Sequence, residues 1–98
     1  MIFKIIYSEI ADLQLEELEN SPAMEIQAKA VFKTLGLLET NLKHPSLNTH
    51  KFDSLIGENG ETVFEAYAQN NTPRAYRIFW HYGPDKSVIT IVSISPHP

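Results

Sequence analysis

Arg77, Glu65 and His97 are the residue types that could together break a phosphodiester bond, and the spacing of the chain around them allows it. Tyr76, Ile78, Trp80 and Tyr82 fall on one face of a strand; Arg77, Phe79 and His81 fall on the other. A permanent cation mid-strand, opposite a bulky aromatic face, is expected on the open side of a sheet. Glu65 sits in an alternating strand just upstream, Arg74 leads into the Arg77 strand, and His97 follows the final one. His50 and Lys51 lie in a preceding arm that could reach the same side. In such a cluster a carboxylate or imidazole would take the proton from a ribose 2′-hydroxyl. A guanidinium would hold the charged phosphorane, and a second imidazole would protonate the leaving oxygen.

Each residue also has a plainer reading. Arg77 and Glu65 would form an exposed cross-strand ion pair worth about 0–1 kcal/mol. His81 would be a half-exposed strand residue, His97 a frayed tail between Pro96 and Pro98, and His50–Lys51 a solvated pair. A metal site built from His50, His81, His97 and a carboxylate lacks any ligand-pair spacing, so no metal is expected. No phosphate loop, dinucleotide fingerprint, zinc-protease helix or nucleophile elbow is present, and no cofactor is expected.

The elements that must position these groups can be read in order. MIFKIIY, residues 1–7, predicts a short strand. Ser8 predicts an N-cap, with Glu9 and Asp12 in the first turn of a helix over residues 9–19 whose apolar stripe is Ile10, Leu13 and Leu18. Asn20-Ser21-Pro22 breaks it, with Ser21 as N-cap and Pro22 opening a second helix over residues 22–43. Met24, Ala28, Val31, Leu35, Leu38 and Leu42 alternate spacings of four and three and predict its core face. Gly36 is expected to mark a close approach to the first helix. His44-Pro45 ends the second helix. A weak strand or irregular arm follows near Phe52, then turns at residues 57–60 and 69–73 bracket the strand that carries Glu65. Gly83-Pro84-Asp85-Lys86 joins the Arg77 strand to a β-branched run over residues 87–94, which predicts a strand covered on both faces. The order implies an α+β fold over residues 1–98. A strand and an antiparallel helical hairpin would pack on a three- to four-stranded antiparallel meander.

Composition narrows the classes. A chain of 98 residues with 43% hydrophobic and 20% charged residues is one small globular domain. There is no cysteine, no apolar run near the roughly 20 residues of a membrane span, and no signal-peptide pattern, so a cytoplasmic location is the expectation. The net charge of −4 is unlike the basic footprint of most nucleic-acid binders. The acidic residues crowd the front, and Lys51, Arg74, Arg77 and Lys86 lie in the second half, which allows a local positive cleft.

The arm HKFDSL, the Glu65 strand and the run AYRIFWHYGPDKSVITIVSISPH together resemble the RelE/ParE superfamily of toxins from bacterial toxin–antitoxin pairs. The resemblance spans essentially the whole chain, with Tyr76-Arg77-Ile78 its best signal. It implies a toxin bound by a cognate antitoxin that cleaves messenger RNA on the ribosome and so inhibits translation. It assigns phosphate holding to Arg77, the base to Glu65 and the general acid to His97; His50, Lys51, Arg74 and His81, by their charge and place along the chain, are the RNA-binding candidates. The alternative is a non-catalytic interaction module of the same fold, binding an antitoxin or another protein, or a toxin directed at DNA gyrase. Either reading leaves a homodimer open.

Overall fold

The computed structural model describes residues 2–97, so Met1, the first residue of the expected opening strand, and Pro98 lie outside the described residues. Strand β1 runs Lys4–Tyr7, helix α1 Glu9–Asn20 and helix α2 Glu25–Thr40; four strands follow, β2 His50–Ile56, β3 Thr62–Tyr67, β4 Tyr76–Tyr82 and β5 Val88–Pro96. They form one mixed sheet in the order β1-β5-β4-β3-β2. β2 to β5 are antiparallel neighbours, and β1 pairs with β5 in parallel, Ile5 opposite Ile89. The sheet therefore has five strands where a meander of three or four was expected: the arm near Phe52 is a full strand, and the N-terminal strand closes the far edge.

Ser8 caps α1, its hydroxyl oxygen accepting the amide of Ala11. The same hydroxyl donates to the carbonyl of Val92, and Gln14 Oε1 accepts the amide of Ile94. These bonds answer a geometric need. The register of β4 with β5 shifts at Phe79/Trp80 so that Val92 is skipped, and β1 ends opposite Ile91. The outer backbone groups of β5 beyond that point are met by α1 side chains, since buried backbone groups must find partners. The skipped residue also turns Ile94 onto the same face as Ile89 and Ile91, and all three are core.

That core lies between the helices and one sheet face: Val31, Leu35 and Leu38 of α2, Ala11 and Leu18 of α1, and Ala66, Ile78, Trp80, Ile89, Ile91 and Ile94 of the sheet. The predicted stripe of α2 is its inner side, with Met24, Ala28 and Leu42 packed at the margin. α1 is rotated from the expected stripe. Ile10 and Leu13 face out, and small Ala11 is the contact, letting the helix lie close on β5. α2 is shorter than predicted: Pro22–Met24 forms a separate 3-10 turn, Ser21 makes no side-chain cap, and the helix stops at Thr40, before His44 caps a second 3-10 turn over Pro45–Leu47. Gly36 marks no close approach, as an added Cβ there would meet open space.

Candidate functional site

The opposite sheet face was expected to be open, and it is not. Phe79, Val63, Glu65, Arg77 and His81 are all buried, with Phe52 of β2 set against Phe79 at 4.7 Å between ring centres. Strand β2 brings its own side chains over this face, so polar groups anticipated as solvent-facing lie inside the protein.

Glu65 is the centre of the arrangement. Its Oε1 lies 2.7 Å from His50 Nε2, and its Oε2 lies 3.7 Å from Arg77 Nε and 3.4 Å from His97 Nδ1. Register explains the convergence. His50 is the direct partner of Glu65 across β2 and β3, and Arg77 is the partner of Tyr67 two residues further along, a diagonal neighbour of Glu65. His97 continues past β5, its amide donating to the Ala75 carbonyl at 2.7 Å, which holds the residue beside the β4 end.

The four side chains divide by access. Glu65 and Arg77 are sealed, at 3% and 8% side-chain exposure, whereas His50 and His97 are half exposed at 46% and 50%. The Arg77 guanidinium donates from Nη1 to the Gln69 carbonyl at 2.6 Å and to the Tyr76 carbonyl at 3.3 Å, and its Cζ sits 3.6 Å over the ring of Tyr67. The rings of Tyr67 and His50 also meet in a T-shaped pair, 5.8 Å between centres. Tyr67 was not anticipated as part of the site. The available signal was its position two residues after Glu65, which puts both on one face of β3.

Hydrogen-bond bookkeeping constrains His50. Its Nδ1 lies 2.8 Å from the Asn48 carbonyl, which only accepts, so Nδ1 carries a hydrogen. Nε2 then meets Glu65 Oε1 through a single proton shared between them, and both nitrogens of His50 are engaged. By contrast, Glu65 Oε2 and Arg77 Nε are buried without a hydrogen-bond partner and face one another.

The other candidates lie apart from this cluster. Lys51 pairs with Phe64, on the alternate face from His50, and is exposed at the sheet edge. Arg74 is exposed in the turn before β4, in a left-handed backbone conformation with φ 54°. His81 shares the strand face of Arg77 but is buried and bonds the Tyr82 carbonyl through Nδ1. Its charged neighbour is Glu61, whose carboxyl is held below the usual range first by its own backbone amide and that of Asn59 and more weakly by His81. Among the described residues no group of three or more His, Asp or Glu side chains could hold a metal ion.

No protein-family model matches the chain, and no curated protein matches its sequence. Solved structures do match its fold. A chain of the archaeal RelE–RelB complex from Pyrococcus horikoshii OT3 superposes with TM-score 0.64 at 15% identity, over 98% of this chain and 96% of that one. A chain of the toxin–antitoxin complex RelBE2 from Mycobacterium tuberculosis superposes with TM-score 0.58 at 18% identity, over 99% of this chain and 100% of the other. The chain has a RelE-like fold. On that RelE-like sheet the Glu65 cluster occupies the face turned away from both helices. No helix among the described residues is long and apolar enough to cross a membrane.

Proposed function

We propose that this chain is the toxin of a toxin–antitoxin pair, a ribosome-dependent endoribonuclease that inhibits translation and is silenced by a cognate antitoxin in the cytoplasm. The observation that carries this reading is the meeting of Glu65, Arg77, His50 and His97 at one point on a RelE-like sheet, two of them reachable from solvent. A carboxylate, a guanidinium and imidazoles are what proton transfer at a ribose hydroxyl and stabilisation of a phosphorane require. A protein partner is supported by the two structural neighbours, each a chain of a two-component complex. It is supported as well by exposed Ile10, Leu13, Ile26 and Phe32 on the helices, apolar surface of the kind that a segment folding on binding covers.

A second reading, a non-catalytic binding module of the same fold, is favoured by one specific observation: Arg77 is sealed by Tyr67 and spends its Nη1 on backbone carbonyls. Co-expression with the neighbouring open reading frame separates the two. A stoichiometric small partner, with growth arrest when that partner is withheld, supports the toxin; a partner without any arrest supports the module.

A further inference from the structure

We infer that Glu65 is a positioning residue, and that Nε2 of His97 is the atom that exchanges a proton with the RNA. This rests on the RNA-cleaving reading above and divides the labour within its site differently from the resemblance, which makes Glu65 the base and His97 the acid.

The argument is one of access and free valence. Glu65 is 3% exposed, its Oε1 is taken by His50, and its Oε2 points inward at Arg77 Nε and His97 Nδ1. Oε2 has no hydrogen-bond partner, but it is buried, so neither oxygen is within reach of a 2′-hydroxyl. His50 is exposed, but its Nδ1 donates to the Asn48 carbonyl and its Nε2 faces Glu65, so neither nitrogen is free. Arg77 has no acid–base role, because a guanidinium does not give up its proton in proteins. His97 differs from all three. It is half exposed, its backbone is pinned by the Ala75 carbonyl, and among the described residues the polar contact of its ring is made by Nδ1.

That group, Glu65 Oε2, is a buried acceptor with no hydrogen-bond partner of its own. A proton on His97 Nδ1 directed at it satisfies the carboxylate and fixes the ring tautomer, leaving a lone pair on Nε2 of a half-exposed ring. The separation of 3.4 Å is long for a formed bond, as is usual before a substrate closes a site. The same logic of a buried carboxylate orienting an imidazole operates in hydrolytic triads. His50 completes the arrangement by bonding Oε1 of Glu65, and the Arg77 guanidinium adds a buried positive charge 3.7 Å from Oε2.

In the resulting step the ribose 2′-hydroxyl loses its proton to His97 Nε2. Its oxygen bonds to the adjacent phosphorus, the bond from phosphorus to the 5′-oxygen breaks, and the departing oxygen takes a proton from water. The products are a 2′,3′-cyclic phosphate and a 5′-hydroxyl. The imidazolium formed at His97 lies against Glu65 and returns its proton to solvent.

The test is nuclear magnetic resonance of the wild-type chain labelled with nitrogen-15 in its histidines, paired with kinetics on ribosome-bound messenger RNA. The neutral ring of His97 is expected in the Nδ1–H tautomer, with the shift of an unprotonated nitrogen at Nε2; an Nε2–H tautomer overturns the proposal. Glu65→Gln should lower kcat by roughly 10²-fold or more with KM little changed, and should displace the pH profile of kcat. A folded Glu65→Gln protein with wild-type kcat and profile overturns it as well. If the tautomer is as expected and no RNA is cleaved, the positioning of His97 stands and the RNA-cleaving reading falls.

Discussion

His50 and Glu65 are register partners across β2 and β3, and their side chains repeat the pairing, His50 Nε2 to Glu65 Oε1 at 2.7 Å. The bond ties the edge strand to the buried end of the site. Its loss would leave a carboxylate oxygen without a partner in a place water reaches poorly. His50→Ala is therefore expected to cost about 1–3 kcal/mol in urea denaturation. A cost below about 0.5 kcal/mol would show that Glu65 Oε1 finds water readily and that β2 does not seal it.

Arg77 is expected to be structural as well as functional. From its place in the strand it reads as an exposed cation whose removal would leave the fold intact. The structure instead buries it under Tyr67, bonded to the Gln69 and Tyr76 carbonyls and beside Glu65. Breaking a buried charge pair from one side typically costs about 3–5 kcal/mol, against about 0–1 kcal/mol for an exposed pair. Arg77→Ala should thus lower the melting temperature by many degrees. A melting temperature within a few degrees of wild type would return Arg77 to the exposed role.

Leu35→Ala is expected to cost about 2–5 kcal/mol, since Leu35 is buried at the centre of the α2 stripe. Chemical denaturation giving less than about 0.5 kcal/mol would contradict the packing of α2 on the sheet.

The α2 face was legible because a long helix with spacings of four and three has one way to bury its apolar side, and Ser8 was legible because a cap is a local device. The facing of α1 was not. Ile10 and Leu13 are the larger side chains, but the helix must approach β5 closely enough for Gln14 to reach the Ile94 amide, and Ala11 permits that. The parallel pairing of β1 with β5 joins the two ends of the chain and leaves no local mark. At the site, Glu65, Arg77 and His97 could be picked out by residue type and alternation. Their burial could not, because it depends on how β2 carries Phe52 and His50 across the sheet. Lys51 and Arg74 were chosen by charge and by their place next to the site strands, and alternation and the turn at residue 74 take them elsewhere.

Tyr7 should make the fold sensitive to alkali. Burial first, and then the charges of Asp12 and Glu39, raise its phenol above the ordinary value of 10.0. The folded state thus binds a proton that the unfolded chain has released, so this contribution is whole below pH 10.0 and is lost as pH rises through the higher folded value. Tyr7→Phe should flatten the fall in stability above that pH. An unchanged slope in alkaline denaturation curves would contradict the assignment.

Induced expression in a bacterial host without the partner tests most directly the proposal that the Glu65 cluster makes this chain a translation-blocking toxin. Wild type should stop growth and protein synthesis within a short time, with cleaved messenger RNA detectable on ribosomes. His97→Ala, a change at a half-exposed side chain, should fold normally and grow freely. Growth arrest that is equally strong in His97→Ala, or no arrest from the wild-type chain, would contradict it.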